Sequence, residues 1–207
     1  MKEIIDKSYE LNFIMFVSIT ILVFIRSIQH NLTDKKRVSL QLSAFVTMIA
    51  AMHYYLMVIN KTNVNIYRYF DWFFTTPILL IDLCIILDIT DVRFILEIIG
   101  YNTLMLLFGY LGETGVLSTM ISTIGGFIPF IILFYRIHNK VREQKNTPEQ
   151  KSNKSKILNI FIILWSLYGI NHMYKNTLNK NGIYNILDLL TKGIFALYIY
   201  KSSWIYN

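Results

Sequence analysis

Two short stretches place charges among side chains that belong in lipid. "RYFDWFFTTPILLIDL", residues 68–83, sets Arg68, Asp71 and Asp82 among aromatic and aliphatic residues, and "NILDLLTKG", residues 185–193, does the same with Asp188 and Lys192. Ionisable groups within an apolar span are costly, so they face the interior and mark a pathway or a ligand. With 3.6 residues per turn and a rise of about 1.5 Å per residue, Arg68, Asp71, Thr75 and Asp82 fall near one helix face, Asp82 roughly 16 Å beyond Asp71. That is a column of groups able to exchange protons. Asp188 and Lys192 are four apart and so share a face, one turn from each other. A lysine this far from either end of its span scarcely snorkels to an interface. Two chemistries suit it: a plain buried ion pair with Asp188, or an amine consumed as a Schiff base with an aldehyde. A protonated Schiff base would need carboxylate counterions, and Asp71 and Asp188 are both available.

The elements that must hold these groups are legible in the composition. The 207 residues are 54% hydrophobic and 15% aromatic, more apolar than most soluble domains of this length. Windows of about 19 residues give runs near bilayer-spanning length at roughly 10–29, 39–59, 67–88, 94–111, 115–136, 157–174 and 183–201. The expected fold is an all-α membrane protein, a seven-transmembrane-helix bundle with residues 1–207 as one domain. "MKEIIDKSYE" is mixed in charge, with no small-residue cleavage site after the first run, so no cleaved signal peptide is expected. Cys84 lies within the third span and reads as a packing residue.

The first connection carries Lys35, Lys36 and Arg37. The fifth, "RIHNKVREQKNTPEQKSNKSK", carries Arg136, Lys140, Arg142, Lys145, Lys151, Lys154 and Lys156. Both fall on one side of a seven-span chain, and the positive-inside rule makes that side cytoplasmic, with the N-terminus outside. These loops account for much of the net charge of +7, so no nucleic-acid partner is expected. Solvated loops are favoured over a polybasic lipid contact.

The combination of "RYFDWFFTTPILLIDL" with "DLLTK" in the last span resembles the microbial rhodopsins, seven-helix proteins carrying covalently bound retinal. The resemblance implies all-trans-retinal attached to Lys192 as a protonated Schiff base. Asp71 and Asp188 would be its counterions, with Arg68 as the charged group beneath them. Trp72, Thr76 and Leu79 match retinal-pocket positions on the third helix, Met105 and Gly109 positions on the fourth, and Trp165 and Tyr168 in "LWSLYG" positions on the sixth. Tyr168 would be a hydrogen-bonding partner of Asp188. "IAAMHYYLM" is similar to the second helix of proteorhodopsin-type pumps, where a histidine hydrogen-bonds the primary counterion, a role that falls to His53 opposite Asp71. The alternative is a histidine that merely fills an interior polar gap. The triplet Asp71, Thr75, Asp82 resembles the outward proton-pump pattern, with Asp71 as proton acceptor and Asp82 as the inner donor.

Departures from the family pattern are also visible. Gly169 stands where proline is usual, His172 replaces a pocket aromatic, a fifth-helix tryptophan expected near Thr119 is missing, and Gly126 replaces a bulkier ring contact. The leading reading is a light-driven ion transporter rather than an enzyme: an outward proton pump, with a light-gated cation channel of the viral rhodopsin type as the alternative and a photosensor as a third option. Ser8, Gln41, Asn181 and Asn185 facing one pore would favour the channel. Gln41 and Ser43 either order water beside Asp82 or simply pack. Glu113 and Asp91 read as solvated loop charges, and Glu97 as a group near the inner end of the fourth helix. Membrane lipids, protons (or cations in a channel) and further copies in a trimer or pentamer are the expected partners, in the cell membrane of the host.

Overall fold

A computed structural model describes residues 2–62, 64–174 and 176–202. Seven helices follow in order: α1 (Lys2–Ser27), α2 (Asp34–Ile59), α3 (Val64–Ile86), α4 (Val92–Glu113), α5 (Thr119–Glu143), α6 (Pro148–His172) and α7 (Thr177–Lys201). No strand occurs among the described residues. Short polar connections punctuate the chain, and five helix starts carry a side-chain cap. Thr33 accepts from the Lys36 N–H, Asp91 from Phe94, Ser118 from Ile121, and Asn176 from Leu178 and Asn179. At α6, Thr147 and Gln150 cap each other's backbone reciprocally, with Pro148 at the first turn.

The helices are longer than the apolar runs that reveal them. Lys35, Lys36 and Arg37 lie in the first turns of α2, and Arg136, Lys140 and Arg142 in the last turns of α5, so only residues 144–147 separate α5 from α6. The expected long basic loop is therefore mostly helix. Several of its cations are also paired: Arg136 with Glu97 at 2.8 Å, Lys140 with Asp91 at 3.3 Å, and Lys154 with Asp88 at 2.7 Å. Lys154 is buried and its Nζ also donates to the side-chain oxygens of Gln144 and Asn146. Six helices are long and apolar enough to cross a membrane, and α6 is the exception. Its start, 148–156, is polar, and the apolar stretch from Ile157 to the helix end at His172 is about 24 Å long, short of a hydrocarbon core of about 30 Å.

The chain groups into two compact units, residues 1–82 with 176–207 and residues 83–175. The first contains α1, α2, most of α3 and α7. Its core is built from Phe16, Ala50, Tyr54 and Met57, with Tyr9 and Ile5. In the second, α5 packs between α4 and α6. Phe127 covers Gly169 and Phe108 covers Gly125 so closely that a Cβ on either glycine would overlap the ring. Phe134 meets Trp165 edge to face at 5.8 Å. The space at Gly169, where the expected proline is absent, is thus filled by a ring from α5.

Asp91 is not merely a solvated loop charge. The Phe94 N–H, followed by Lys140, holds its carboxyl below the usual aspartate range. A depressed carboxyl contributes stability above its unfolded pKa and loses it as pH falls through the folded value. Asp91→Ala should therefore lower the thermal midpoint of detergent-solubilised protein at neutral pH, with the difference from wild type vanishing once the medium is acid enough to protonate Asp91.

Candidate functional site

Lys192 is the centre of the first unit's polar interior. Its side chain is 1% exposed, its Nζ donates to Asp71 Oδ2, and Asp188 Oδ1 lies 3.4 Å away. Both carboxylates are fully buried. Arg68 completes the group, with Nη1 donating to Asp188 Oδ2 at 2.9 Å and Nη2 to Asn185 Oδ1 at 2.7 Å. Two cations thus meet two anions, which is what makes such burial tolerable. The guanidinium also lies over the Tyr184 and Tyr54 rings, at 5.3 and 5.9 Å, where ring faces favour a cation.

The two carboxylates differ in their surroundings. Asp188 accepts from Tyr54 Oη at 2.8 Å and Trp72 Nε1 at 3.0 Å as well as from Arg68. Asp71 Oδ1 is buried with no hydrogen-bond partner among the described residues. His53 sits beside that oxygen, but its Nδ1 is 3.9 Å away and engages the Ile49 carbonyl at 2.9 Å. The expected hydrogen bond from His53 to the counterion is therefore replaced, at Nδ1, by a bond to its own helix.

Local backbone chemistry sets these positions. Pro77 inside α3 has no N–H for the carbonyl four residues back. Just before it, the Thr75 and Thr76 hydroxyls donate to the Asp71 and Trp72 carbonyls, each at 2.8 Å, the back-bonding available to threonine in a helix. In α7 the stretch Leu189–Ile194 is a π-helical turn that contains Lys192. Such widened turns often accompany functional sites. A Cβ on Gly193 would lie 3.0 Å from Ile19 and 3.1 Å from Leu189, so glycine lets α7 lie close to α1 beside the lysine.

Further along α3, Asp82 is buried among Leu79, Leu80, Leu83 and Cys84. Its carboxyl accepts from Ser39 and, at 3.0 Å, from Ser43. Of the two α2 residues expected near it, Ser43 is there, whereas Gln41 is exposed. Ser39 was not anticipated, although it lies four residues before Ser43 and so on the same face. Tyr54 was missed too, despite adjoining His53. Asn185 bonds Arg68, Tyr54 and Ser8, and its carbonyl accepts from Asn12, so it ties α7 to α1, α2 and α3. Asn181 is buried as well.

Thr76 and Leu79 are buried on α3, in the same unit as Lys192. Met105, Gly109, Trp165 and Tyr168 belong to the second unit, where Trp165 is buried and the other three are partly so. Glu113 departs from its expected solvated state: its side chain is 13% exposed and 3.8 Å from His172. No group of three metal-ligating side chains occurs among the described residues. Since Tyr54 supplies the phenol on Asp188, Tyr54→Phe should cost about 1 kcal/mol of stability, read as a lower thermal midpoint of the solubilised protein.

Sequence comparison matches residues 6–205 to the profile of bacteriorhodopsin-like proteins. The chain is 28% identical over 185 residues to a green-light absorbing proteorhodopsin from gamma-proteobacterium EBAC31A08, covering 81% of this chain and 74% of that one. It is 31% identical over 153 residues to bacteriorhodopsin of Halobacterium salinarum, covering 68% and 57%. Among solved structures, viral rhodopsin OLPVRII superposes with a TM-score of 0.84 at 27% identity, covering 95% of this chain and 96% of that one. The fold is accordingly the seven-transmembrane-helix bundle of an integral, multi-pass membrane protein.

Proposed function

As the chain belongs to the bacteriorhodopsin-like family of microbial rhodopsins, we propose that it is a light-driven outward proton pump with all-trans-retinal bound to Lys192 as a protonated Schiff base. The observation that carries this reading is the buried Lys192 amine held between Asp71 and Asp188. The donor set fits the group: a primary amine midway along α7, two carboxylates to balance its charge, and an acceptor oxygen of Asp71 that no described residue occupies. Retinal supplies light absorption and a double-bond isomerisation.

The chain's own residues then account for the proton's course. The Lys192 nitrogen gives its proton to Asp71, the neighbour with an open oxygen. Asp188, held by Tyr54, Trp72 and Arg68, stays as the fixed anion. Asp82, screened by leucines and held by Ser39 and Ser43, returns a proton to the Lys192 nitrogen from the inner side. Two carboxyls in contrasting environments suit such acid and base roles. Trp72, Thr76 and Leu79, in the same unit as Lys192, would line the retinal pocket, and residues 1–207 would work as one domain in the host's cell membrane.

A cation channel would be favoured if Ser8, Gln41, Asn181 and Asn185 faced one pore. Instead Gln41 is exposed, and the Asn185 amide donates to Ser8 Oγ at 2.6 Å while its oxygen accepts from Arg68. Ser8 and Asn185 are thus spent on each other and on Arg68, which favours the pump. Green light on an unbuffered suspension of expressing cells given retinal should acidify the medium, and a protonophore should abolish the change. Voltage-clamp currents that reverse with the ion gradient, without acidification, would establish the channel instead. Lys192→Ala should form no visible pigment when all-trans-retinal is added. Asp82→Asn should keep the pigment and slow late proton uptake in flash photolysis, and an unchanged cycle would remove Asp82 from the donor role.

A further inference from the structure

A second cluster of proton-exchanging groups lies in the second unit, and the pumping scheme above does not use it. The end of α4, the start of α5 and the end of α6 meet there through Glu113, Ser122 and His172. The His172 ring is 7% exposed and Ser122 is 1% exposed. His172 Nε2 is 3.0 Å from Ser122 Oγ, and Nδ1 is 3.8 Å from Glu113 Oε2. The imidazole therefore spans two helices, with a hydroxyl at one nitrogen and a carboxylate near the other.

The backbone is shaped for this approach. A Cβ on Gly112 would lie within 3 Å of both Ser122 Oγ and His172 Nε2. Any other residue at 112 would push the hydroxyl and the ring off α4, so the glycine next to Glu113 makes the close meeting possible. Ser122 Oγ donates its own hydrogen to the Thr119 carbonyl at 3.0 Å. Its lone pairs are then left to accept from His172 Nε2–H. With Nε2 as the donor, Nδ1 is the nitrogen that gains or loses a proton, and it is the one that faces Glu113. Glu113 on α4 brings a carboxylate to the ring, and Ser122 on α5 a neutral hydroxyl.

From this geometry we infer that His172, Glu113 and Ser122 form a second proton-binding site, in which His172 Nδ1 takes up a proton beside the Glu113 carboxylate. Uptake turns a neutral ring next to an anion into an ion pair joining α4 to α6, while the Nε2 bond keeps the ring on α5. Protonation of this site is then coupled to how tightly the three helix ends are held. Histidine is the side chain suited to such exchange near neutral pH.

The inference is tested in the dark on the full chain in lipid nanodiscs, so its outcome does not depend on whether the protein pumps. Nitrogen NMR of histidine-labelled protein, with His172→Asn identifying the resonance, follows the ring between pH 4 and pH 9, a window bracketing the ordinary histidine range of about 6.5. The expected result is a reversible titration at Nδ1 with Nε2 protonated throughout. Glu113→Gln should move the midpoint to lower pH by about one unit, and Ser122→Ala should change the Nε2 signal while leaving the response to Glu113 intact. If Glu113→Gln does not yield folded protein, Glu113→Asp tests the same coupling by drawing back the carboxylate, and the midpoint should again fall. A ring that stays in one state across the window, or a midpoint unaffected by shortening or neutralising Glu113, overturns the inference.

Discussion

Everything in the first unit depends on keeping a lysine amine buried without leaving its charge unmatched. At low dielectric an unpaired ammonium is untenable, and removing one partner from a buried pair costs about 3–5 kcal/mol because the other charge is stranded. The chain meets this constraint with a balanced group of four, Lys192 and Arg68 against Asp71 and Asp188. Each neighbouring helix contributes a part: α3 gives Arg68, Asp71 and Trp72, α2 gives Tyr54, and α1 gives Ser8 and Asn12, which hold Asn185 under the guanidinium. The polar residues are therefore the connections that fix how α1, α2, α3 and α7 pack.

The balance is asymmetric. Asp188 accepts from a guanidinium, a phenol and an indole, so its negative charge is distributed over fixed donors. Asp71 has the lysine at one oxygen and, among the described residues, no hydrogen-bond partner at the other, so it retains capacity for a proton. A carboxylate already saturated by donors is a poor proton acceptor, since each of those bonds favours the charged form. The proposed division between a fixed counterion, Asp188, and a working one, Asp71, rests on this difference in hydrogen-bond occupancy.

How much of this the sequence disclosed follows from what each signal measures. The face shared by Arg68, Asp71, Thr75 and Asp82 and the spacing of Asp188 and Lys192 are consequences of helical period, and the buried column on α3 and the lysine–carboxylate group followed that period. The residues that complete the site were less visible because their types are ordinary. Tyr54 and Ser39 look like any aromatic or hydroxyl residue on a helix until α2 is placed against its neighbours, and the π-helical turn at Lys192 leaves no trace in hydropathy. Helix lengths were underestimated for a related reason. Apolar runs mark where lipid is expected, whereas capping residues such as Thr33 and Thr147 decide where the backbone begins to coil. Charge counting misread Lys154 and Glu113, because a charged residue at a helix end looks the same in sequence whether it meets water or a partner.

The two carboxyls of α3 sit in opposite surroundings. Asp71 lies in the charged group, with an ammonium on one oxygen, while Asp82, three turns further, is buried and accepts from the hydroxyls of Ser39 and Ser43. A carboxyl facing cations gains by being ionised. One surrounded by leucines and neutral hydroxyls, which can accept as well as donate, loses little by holding its proton. In the proposed scheme, proton transfer along such a helix passes through the Lys192 nitrogen between the two carboxyls. It needs the lysine nitrogen to be exposed first to one environment and then to the other, and the widened turn of α7 lies at the residue that would have to do so.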